Sequence, residues 1–266
     1  MNLSTVATAD TAVKDSYGTA TCISSEERQR MNVQFALHTL PLLGRALQTL
    51  GGPSGLRVTD VGSGYGASVA AFEAPHGLPR QLSLMDCNAS LLAHAQARAK
   101  QIGVVARTYL GAVDATPMPP ELQPQDLVLC SFTATHLHDL GAGLRHMVRA
   151  LRPGGLLVLT DVDYCASLAG DSEAAQDCLW WVQQKLVVRD LSSALPRLAL
   201  QHGLRPVPGI ECSDTLHTYT GEAARQLALG FVRHFHADDP AKAAWRRIGP
   251  EATVVLRRMA HLYRRA

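Results

Sequence analysis

Aromatic residues are scarce in this 266-residue chain, at 5%. Extended base-stacking surfaces are built from aromatics, so a nucleic-acid partner is disfavoured. An excess of one charge is also missing: 25 Lys+Arg stand against 23 Asp+Glu, a net +2. That excludes a basic nucleic-acid coat and an acidic tail protein. No apolar run reaches the ~18 residues that span a bilayer, so no membrane partner is expected. The start, MNLSTVATADTAVKD, has no charged segment leading into an apolar one, and no secretory leader is expected. The six cysteines, at 22, 87, 130, 165, 178 and 212, form no CxxC pair. Neither a disulfide scaffold nor a zinc module is indicated; the pattern reads as reduced thiols in a cytoplasmic protein, with no metal.

What is present is a globular composition, 47% apolar and 18% charged, with length for one large domain or one domain and an appendage. Residues 1–23 are polar and aperiodic and read as a lid. A Ser-Ser-Glu-Glu start opens a helix to about Leu50, kinked or divided at Pro41. Strands are expected at 56–61, 81–86, 104–110, 126–132 and 155–162, with helices between them. Asn88 is placed to cap the helix that runs to Ile102. Such alternation predicts an α/β fold: a doubly wound, mostly parallel sheet with added N-terminal and C-terminal helices. Residues 171–188 and 191–202 read as helical, 204–219 as one or two strands, and 221–236 and 241–265 as helical. The chain divides into a lid and helix (1–50), a core (51–162) and a cover with a C-terminal helical region (163–266), completing one domain. Residues 225–266 carry nine Lys/Arg against three Asp/Glu, expected as a solvated basic helix face.

The most informative stretch is DVGSGYG, 60–66. Glycines at 62, 64 and 66 follow a strand and open a helix, so backbone can approach a ligand closely. Gly62-x-Gly64-x-x-Ala67 also fits a dinucleotide fingerprint, which keeps an NAD(P) oxidoreductase open. Asp60 stands two residues before the first glycine, where it repels a pyrophosphate and welcomes an amino group. Asp86 ends the second strand, where an acid can accept both ribose hydroxyls. Asp114 follows the third strand and can accept from the exocyclic amine of adenine. A ligand with amine, ribose and adenine but no phosphate is S-adenosyl-L-methionine.

The motifs VTDVGSGYG, LMDCN, GAVDA, DLVLCSFTATHLHD and RALRPGGLLVLTDV stand in order over roughly 56–162. In these the chain resembles the class I S-adenosylmethionine-dependent methyltransferases of the bacterial small-molecule type. The resemblance implies a Rossmann-like fold with S-adenosyl-L-methionine as cofactor. By it, Asp60 meets the methionine amine, often through water, and Gly62 and Gly64 line the methionine part. Asp86 takes the ribose, Asp114 with backbone at Ala115 takes the adenine, and backbone near Ser131 approaches the amine. The family usually ends with an antiparallel seventh strand inserted into the sheet. Here 254–265 looks helical, so either 204–219 supplies that strand or it is missing.

The tip of the fourth strand, CSFTATHLHD, lacks the (D/N/S)-P-P-(Y/F) arrangement of base-amine methylation and the Pro-Cys of cytosine methylation. No paired-glutamate loop is present, and no acid ends the strand to hold magnesium. A small-molecule acceptor, methylated on N or O, is the class left. In-line methyl transfer can draw most of its catalysis from alignment, and a base is needed only for a hydroxyl or a protonated amine. His136, just past the fourth strand, is the candidate base, with loop support and pocket lining as its other roles. Asp163 and Tyr164, at the fifth-strand rim, and Trp181, on the following helix, are candidate substrate residues, as is Tyr17 in the lid. The segment around Tyr17 is weakly similar to the leading segment of plant-type carboxyl methyltransferases, which keeps carboxylate O-methylation as a minor option. The alternatives are a cofactor-binding protein that uses the fold without methylating, and a nucleic-acid methyltransferase that uses the basic C-terminal face. Oligomeric state is left open.

Overall fold

The computed structural model describes residues 25–72, 78–169, 172–188, 190–210, 213–225, 227, 247–249 and 251–266. The expected lid over 1–23, with Tyr17, lies outside the described residues, as does most of the helix expected at 221–236.

Two helices, α1 (Ser25–Gln34) and α2 (Leu40–Thr49), are joined by one wide turn, Phe35–Thr39, in which the Leu40 N–H reaches back to the Phe35 carbonyl. Pro41 explains the wide turn. It has no N–H for the carbonyl four residues earlier, so the helix is re-phased before it.

Eight strands follow: β1 (Arg57–Val61), β2 (Gln81–Asp86), β3 (Ala106–Leu110), β4 (Gln125–Ser131), β5 (Leu151–Ala169), β6 (Leu204–Pro206), β7 (Ser213–Thr220) and β8 (Thr253–Arg265). They form one sheet in the order β3-β2-β1-β4-β5-β8-β6, with β7 also on β8. The β3-β2-β1-β4-β5 part is parallel, and β8 runs antiparallel to β5, β6 and β7.

Alternate residues of each strand enter separate cores. Leu127 and Leu129 face Leu43, Ala46 and Leu47 of α2 and Leu92 and Ala95 of α3 (Ala89–Gln101). Val128 and Cys130 face Leu144 and Met147 of α4 (Leu140–Ala150) and Leu195 and Ala199 of α6 (Leu191–Gln201). Burial on both faces is what a strand without polar alternation requires. Asn88 caps α3 as expected, its side-chain oxygen accepting from the Ser90 and Leu91 N–H groups.

Residues 253–265, expected as helix, are the interior strand β8; the inserted antiparallel strand is present and comes from here. Val254, Leu256, Ala260 and Leu262 alternate onto one face and Met259, His261 and Tyr263 onto the other. The expected basic helix face dissolves with it. Arg257 pairs with Asp214 at 3.4 Å, and Arg265 donates to the Leu151 carbonyl.

β5 continues well past its expected end at 162, so the division expected there falls inside one strand. Beyond Asp163 it forms, with β8 and β7, an antiparallel wing above the carboxyl edge of the parallel sheet. Helix α5 (Glu173–Lys185) packs on the wing through Ala174, Ala175 and Leu179, around a third core with Val162, Tyr164, Leu256 and Tyr219.

Candidate active site

The glycine loop is built as the sequence requires. Gly62, Gly64 and Gly66 have φ of +69°, +52° and +88°, a region L side chains rarely adopt. A Cβ on Gly62 would lie 2.0 Å from Thr133 Oγ1, and one on Gly66 would lie 2.9 Å from Ala95 Cα. The Gly62 and Ser63 N–H groups donate to the Met85 carbonyl at 2.8 and 3.0 Å, tying the loop to β2. Tyr65 donates from its hydroxyl to Asn32 Oδ1 at 2.6 Å, which fastens the loop to α1.

The three acids sit differently. Asp60 is buried on β1, and the Ser68 hydroxyl donates to it. Burial pushes its carboxyl up to about 7, the Ser68 bond pulls it down, and the charge of Asp86 adds a smaller push upward. Asp86, at the end of β2, accepts from the Gly64 N–H at 2.8 Å and the Asn88 N–H at 2.9 Å. These two bonds fix the direction of the carboxylate. Asp114 accepts with Oδ2 from the His138 and Asp139 N–H groups, at 2.6 and 3.2 Å. It thus fastens the loop after β4, and the Ala115 N–H turns inward to the Ala112 carbonyl at 3.1 Å.

At the tip of β4 the Ser131 hydroxyl meets Thr39 at 2.7 Å and Thr160 at 3.0 Å, and Thr39 meets Thr160 at 2.7 Å. This cluster pins the helical N-terminal segment to the carboxyl edge of the sheet. Phe132 follows with φ +53°, and its N–H donates to the Thr160 carbonyl at 2.7 Å. A bulky residue held in that region is strained, and such strain concentrates at functional sites. His136 lies in the short turn Ala134–His136, half-buried, its N–H on the Thr133 carbonyl at 3.0 Å. Buried Asp161 holds this turn, accepting from the Thr135 N–H and hydroxyl, both at 3.1 Å. Burial raises the Asp161 carboxyl to about 6 against the downward pull of its backbone and hydroxyl bonds.

Asp163 is a correction. It is fully buried and accepts from the Ala166 N–H at 3.1 Å and the Ser192 N–H at 2.9 Å. It anchors the start of α6, buried beneath the rim where the sequence placed it. Tyr164 is buried in the core under α5, its carbonyl accepting from Gln183 at 2.7 Å. Trp181 lies on α5, its side chain outside the described residues.

Sequence reading missed a cluster beside the β4 tip. His38, in the wide turn, is buried; its ring lies 5.5 Å from that of His217 and 6.4 Å from that of Phe132. Its Nε2 is 3.4 Å from the Tyr219 hydroxyl, and Tyr219 packs on His217 at 4.6 Å. Burial raises the Tyr219 phenol against the pull of the Arg30 charge. His38 Nδ1, like Ser63 Oγ in the glycine loop, is buried with no hydrogen-bond partner. The available signal for His38 was its place one turn before Pro41.

The residues fit S-adenosylmethionine on this structure's own terms. The backbone of the loop has room only without side chains, a partnerless hydroxyl sits inside it, and carboxylates stand at the ends of β1 and β2. No group of His, Cys, Asp or Glu among the described residues could hold a metal ion. No described helix is long and apolar enough to cross a membrane.

Comparison with known proteins agrees with this fit. Residues 58–155 match the family model described as a methyltransferase domain. Among curated proteins, the ubiquinone/menaquinone biosynthesis C-methyltransferase UbiE of Shewanella woodyi is 27% identical over 115 residues, 43% of this chain and 46% of that protein. The chain thus spans just under half the length of the curated relatives it matches. Among solved structures, the YcgJ protein of Bacillus subtilis superposes with a TM-score of 0.58 at 19% identity, over 84% of this chain and 97% of that one. The geranyl diphosphate C-methyltransferase of Streptomyces coelicolor gives 0.52 at 15% identity, over 86% and 75%. By motif and family model residues 58–155 are similar to a methyltransferase domain, and the Rossmann-like fold is the one shared with the solved structures named above.

Proposed function

We propose that the protein is a methyltransferase that transfers a methyl group from S-adenosylmethionine to N or O of a small-molecule acceptor. The observation that carries this reading is one edge of the sheet. There the glycine loop, Asp60 and Asp86 stand beside the β4 tip, and the His38–Tyr219 cluster stands beyond it. The cofactor, when bound, supplies an electrophilic methyl on a sulfonium centre.

The chain's own residues divide the remaining work. Gly62 and Gly64 let backbone approach the methionine part, and Asp60 offers its amine a buried carboxylate. Asp86 holds the ribose, aimed by the Gly64 and Asn88 N–H groups. The hydroxyls of Thr39, Ser131 and Thr160 fix the floor between the two halves. Phe132 and the aromatic and imidazole rings around it exclude water from the acceptor side. In the tautomer in which Nε2–H points at the Tyr219 oxygen, His38 Nδ1 keeps its lone pair and can take a proton from a hydroxyl or an ammonium. His136 stands on the loop that follows β4 as the second candidate base.

A second reading, transfer to carbon, is favoured by the name of the curated relatives. The same imidazole serves it, since a carbon nucleophile flanked by a hydroxyl also needs that proton removed. Incubation with methyl-labelled S-adenosylmethionine and a metabolite panel tests the function. Label transferred to an organic product supports it. Cofactor binding without transfer to any acceptor class, including pathway intermediates from neighbouring genes, would favour the non-methylating alternative.

A further inference from the structure

Along one face of β8, Val254 and Leu256 enter the core under α5, while Ala260 and Leu262 pack in the core around α2. Between them, on the same face, stands Arg258. Its Nε and Nη1 are buried with no hydrogen-bond partner. The acids on the neighbouring strands are all committed elsewhere. Asp161 is held by Thr135, Asp163 by Ala166 and Ser192, and Asp214 by Arg257 and His261. Arg257, one residue away on the opposite face, shows the ordinary arrangement, with its carboxylate at 3.4 Å. Burial without any compensating acid lowers the Arg258 pKa to about 10. Burying guanidinium nitrogens is expensive unless they are paired, and in this half-buried arginine no group among the described residues pairs with Nε or Nη1.

The register says where that partner would sit. Ser131 pairs with Thr160 and Thr160 with Ala260, so these form one row across β4, β5 and β8. The next row outward on the same face is Val162, Arg258 and Thr215, and the row beyond holds Leu256 and His217. Directly opposed residues of antiparallel strands share a face. Arg258 therefore lies one row past the hydroxyl floor, on the face carrying His217 and Tyr219. Phe132 packs on the core that contains Val162, Leu256 and Tyr219. With strands ~4.8 Å apart, Arg258 is two strands, or ~10 Å, from the line of β4, within reach of a long side chain and a small acceptor. His38, whose Nδ1 is buried without a partner, has its ring beside His217 in this cluster.

We propose that Arg258 is the specificity-determining residue of the acceptor site, and that the acceptor is a small anion, a carboxylate on an apolar or aromatic body. This rests on the methyltransferase reading above. A guanidinium offers a planar fork of donors that matches a carboxylate. The rings of Phe132, His38, His217 and Tyr219 suit the apolar body.

The test is calorimetry and thermal shift on the full chain with S-adenosylhomocysteine present. The probes are benzoate, salicylate and 4-hydroxybenzoate, each against its amide, with phenyl phosphate as a separate arm. At least one carboxylate should bind tenfold or more tightly than its amide, and Arg258→Gln should abolish the difference while S-adenosylhomocysteine affinity stays within twofold. Arg258→Met should raise the Tm of the unliganded protein, since it removes two buried donors that lack acceptors. Equal binding of acids and amides, no binding of any acid, a preference for phenyl phosphate over every carboxylate, or a preference that survives Arg258→Gln would overturn the proposal. Failure to bind S-adenosylhomocysteine at all would instead sink the methyltransferase reading.

Discussion

His38 and Tyr219, 181 positions apart, meet imidazole Nε2 to phenol oxygen at 3.4 Å, beside the tip of β4. The bond joins the wide turn before α2 to the wing, and so sets one ring of the acceptor side from each. If His38 Nδ1 takes the proton of a hydroxyl acceptor, His38→Asn should lower turnover by roughly 10²–10⁴-fold with cofactor binding intact. Tyr219→Phe should cost less, since it loosens the ring without removing the base. His136→Asn should remain substantially active. Steady-state kinetics on the three folded variants, with cofactor affinity measured alongside, decides which imidazole matters. A thousandfold loss confined to His136→Asn would transfer the role to His136.

Asp86, proposed to take the ribose, has its carboxylate aimed by two backbone N–H groups. Asp86→Ala should weaken S-adenosylmethionine binding by about 1.5–3 kcal/mol, the worth of charge-assisted hydrogen bonds. Calorimetry on the folded variant checks it, and unchanged affinity would remove Asp86 from the site.

Asp60 makes the unliganded protein pH-sensitive. Its folded pKa of about 7 lies above the ordinary 3.8, so the folded state prefers the protonated carboxyl. That contribution is full below about pH 4 and is lost as pH rises through 7. Asp161, at about 6, acts in the same sense. The Tm of wild type should fall between about pH 4 and 7 more steeply than that of Asp60→Asn, and at pH 8 the variant should be more stable by about 1–3 kcal/mol. Parallel Tm curves would show that Asp60 is ionised without penalty. An ammonium-bearing cofactor favours the ionised form, so S-adenosylmethionine affinity should rise over the same window.

Asp163 should behave as a structural residue. Asp163→Ala leaves the Ala166 and Ser192 N–H groups without their acceptor, at a cost of about 2–4 kcal/mol of stability. Denaturant unfolding should show the loss, while acceptor KM in the folded fraction stays unchanged. A KM that rises with little change in stability would return Asp163 to the substrate side.

The parts of this site that were legible in the sequence are local. The glycine loop and the acids at the strand ends lie within 27 residues, and each is dictated by backbone conformation or by the end of a strand. The parts that were not legible depend on distant partners. His38 sits inside a helical pattern and gains meaning only when β7 arrives from 181 residues away. Residues 253–265 carry apolar side chains at spacings that satisfy both a helix and a strand buried on two faces, and tertiary pairing with β5 and β7 settles the ambiguity. The β-branched run Thr253-Val254-Val255 was the local hint. Arg258 read as one charge in a basic stripe, and only the strand assignment separates it from the paired Arg257.

The continuity of β8 has a consequence for recombination between related chains. One backbone segment carries Leu262, which packs with Val158 in the core around α2, and, two rows away, Arg258, proposed above to meet the acceptor. The cover is therefore not a cassette. A chimera that takes residues 163–252 from another parent inherits a foreign cover docked on a resident strand. One that takes 163–265 imports a strand that must re-pack against the resident β5. Core packing at Leu262 and the proposed acceptor contact at Arg258 share one face of the same 13 residues, so a change of substrate has to proceed by single side chains in the rows past Ala260, with the rows toward Leu262 held fixed.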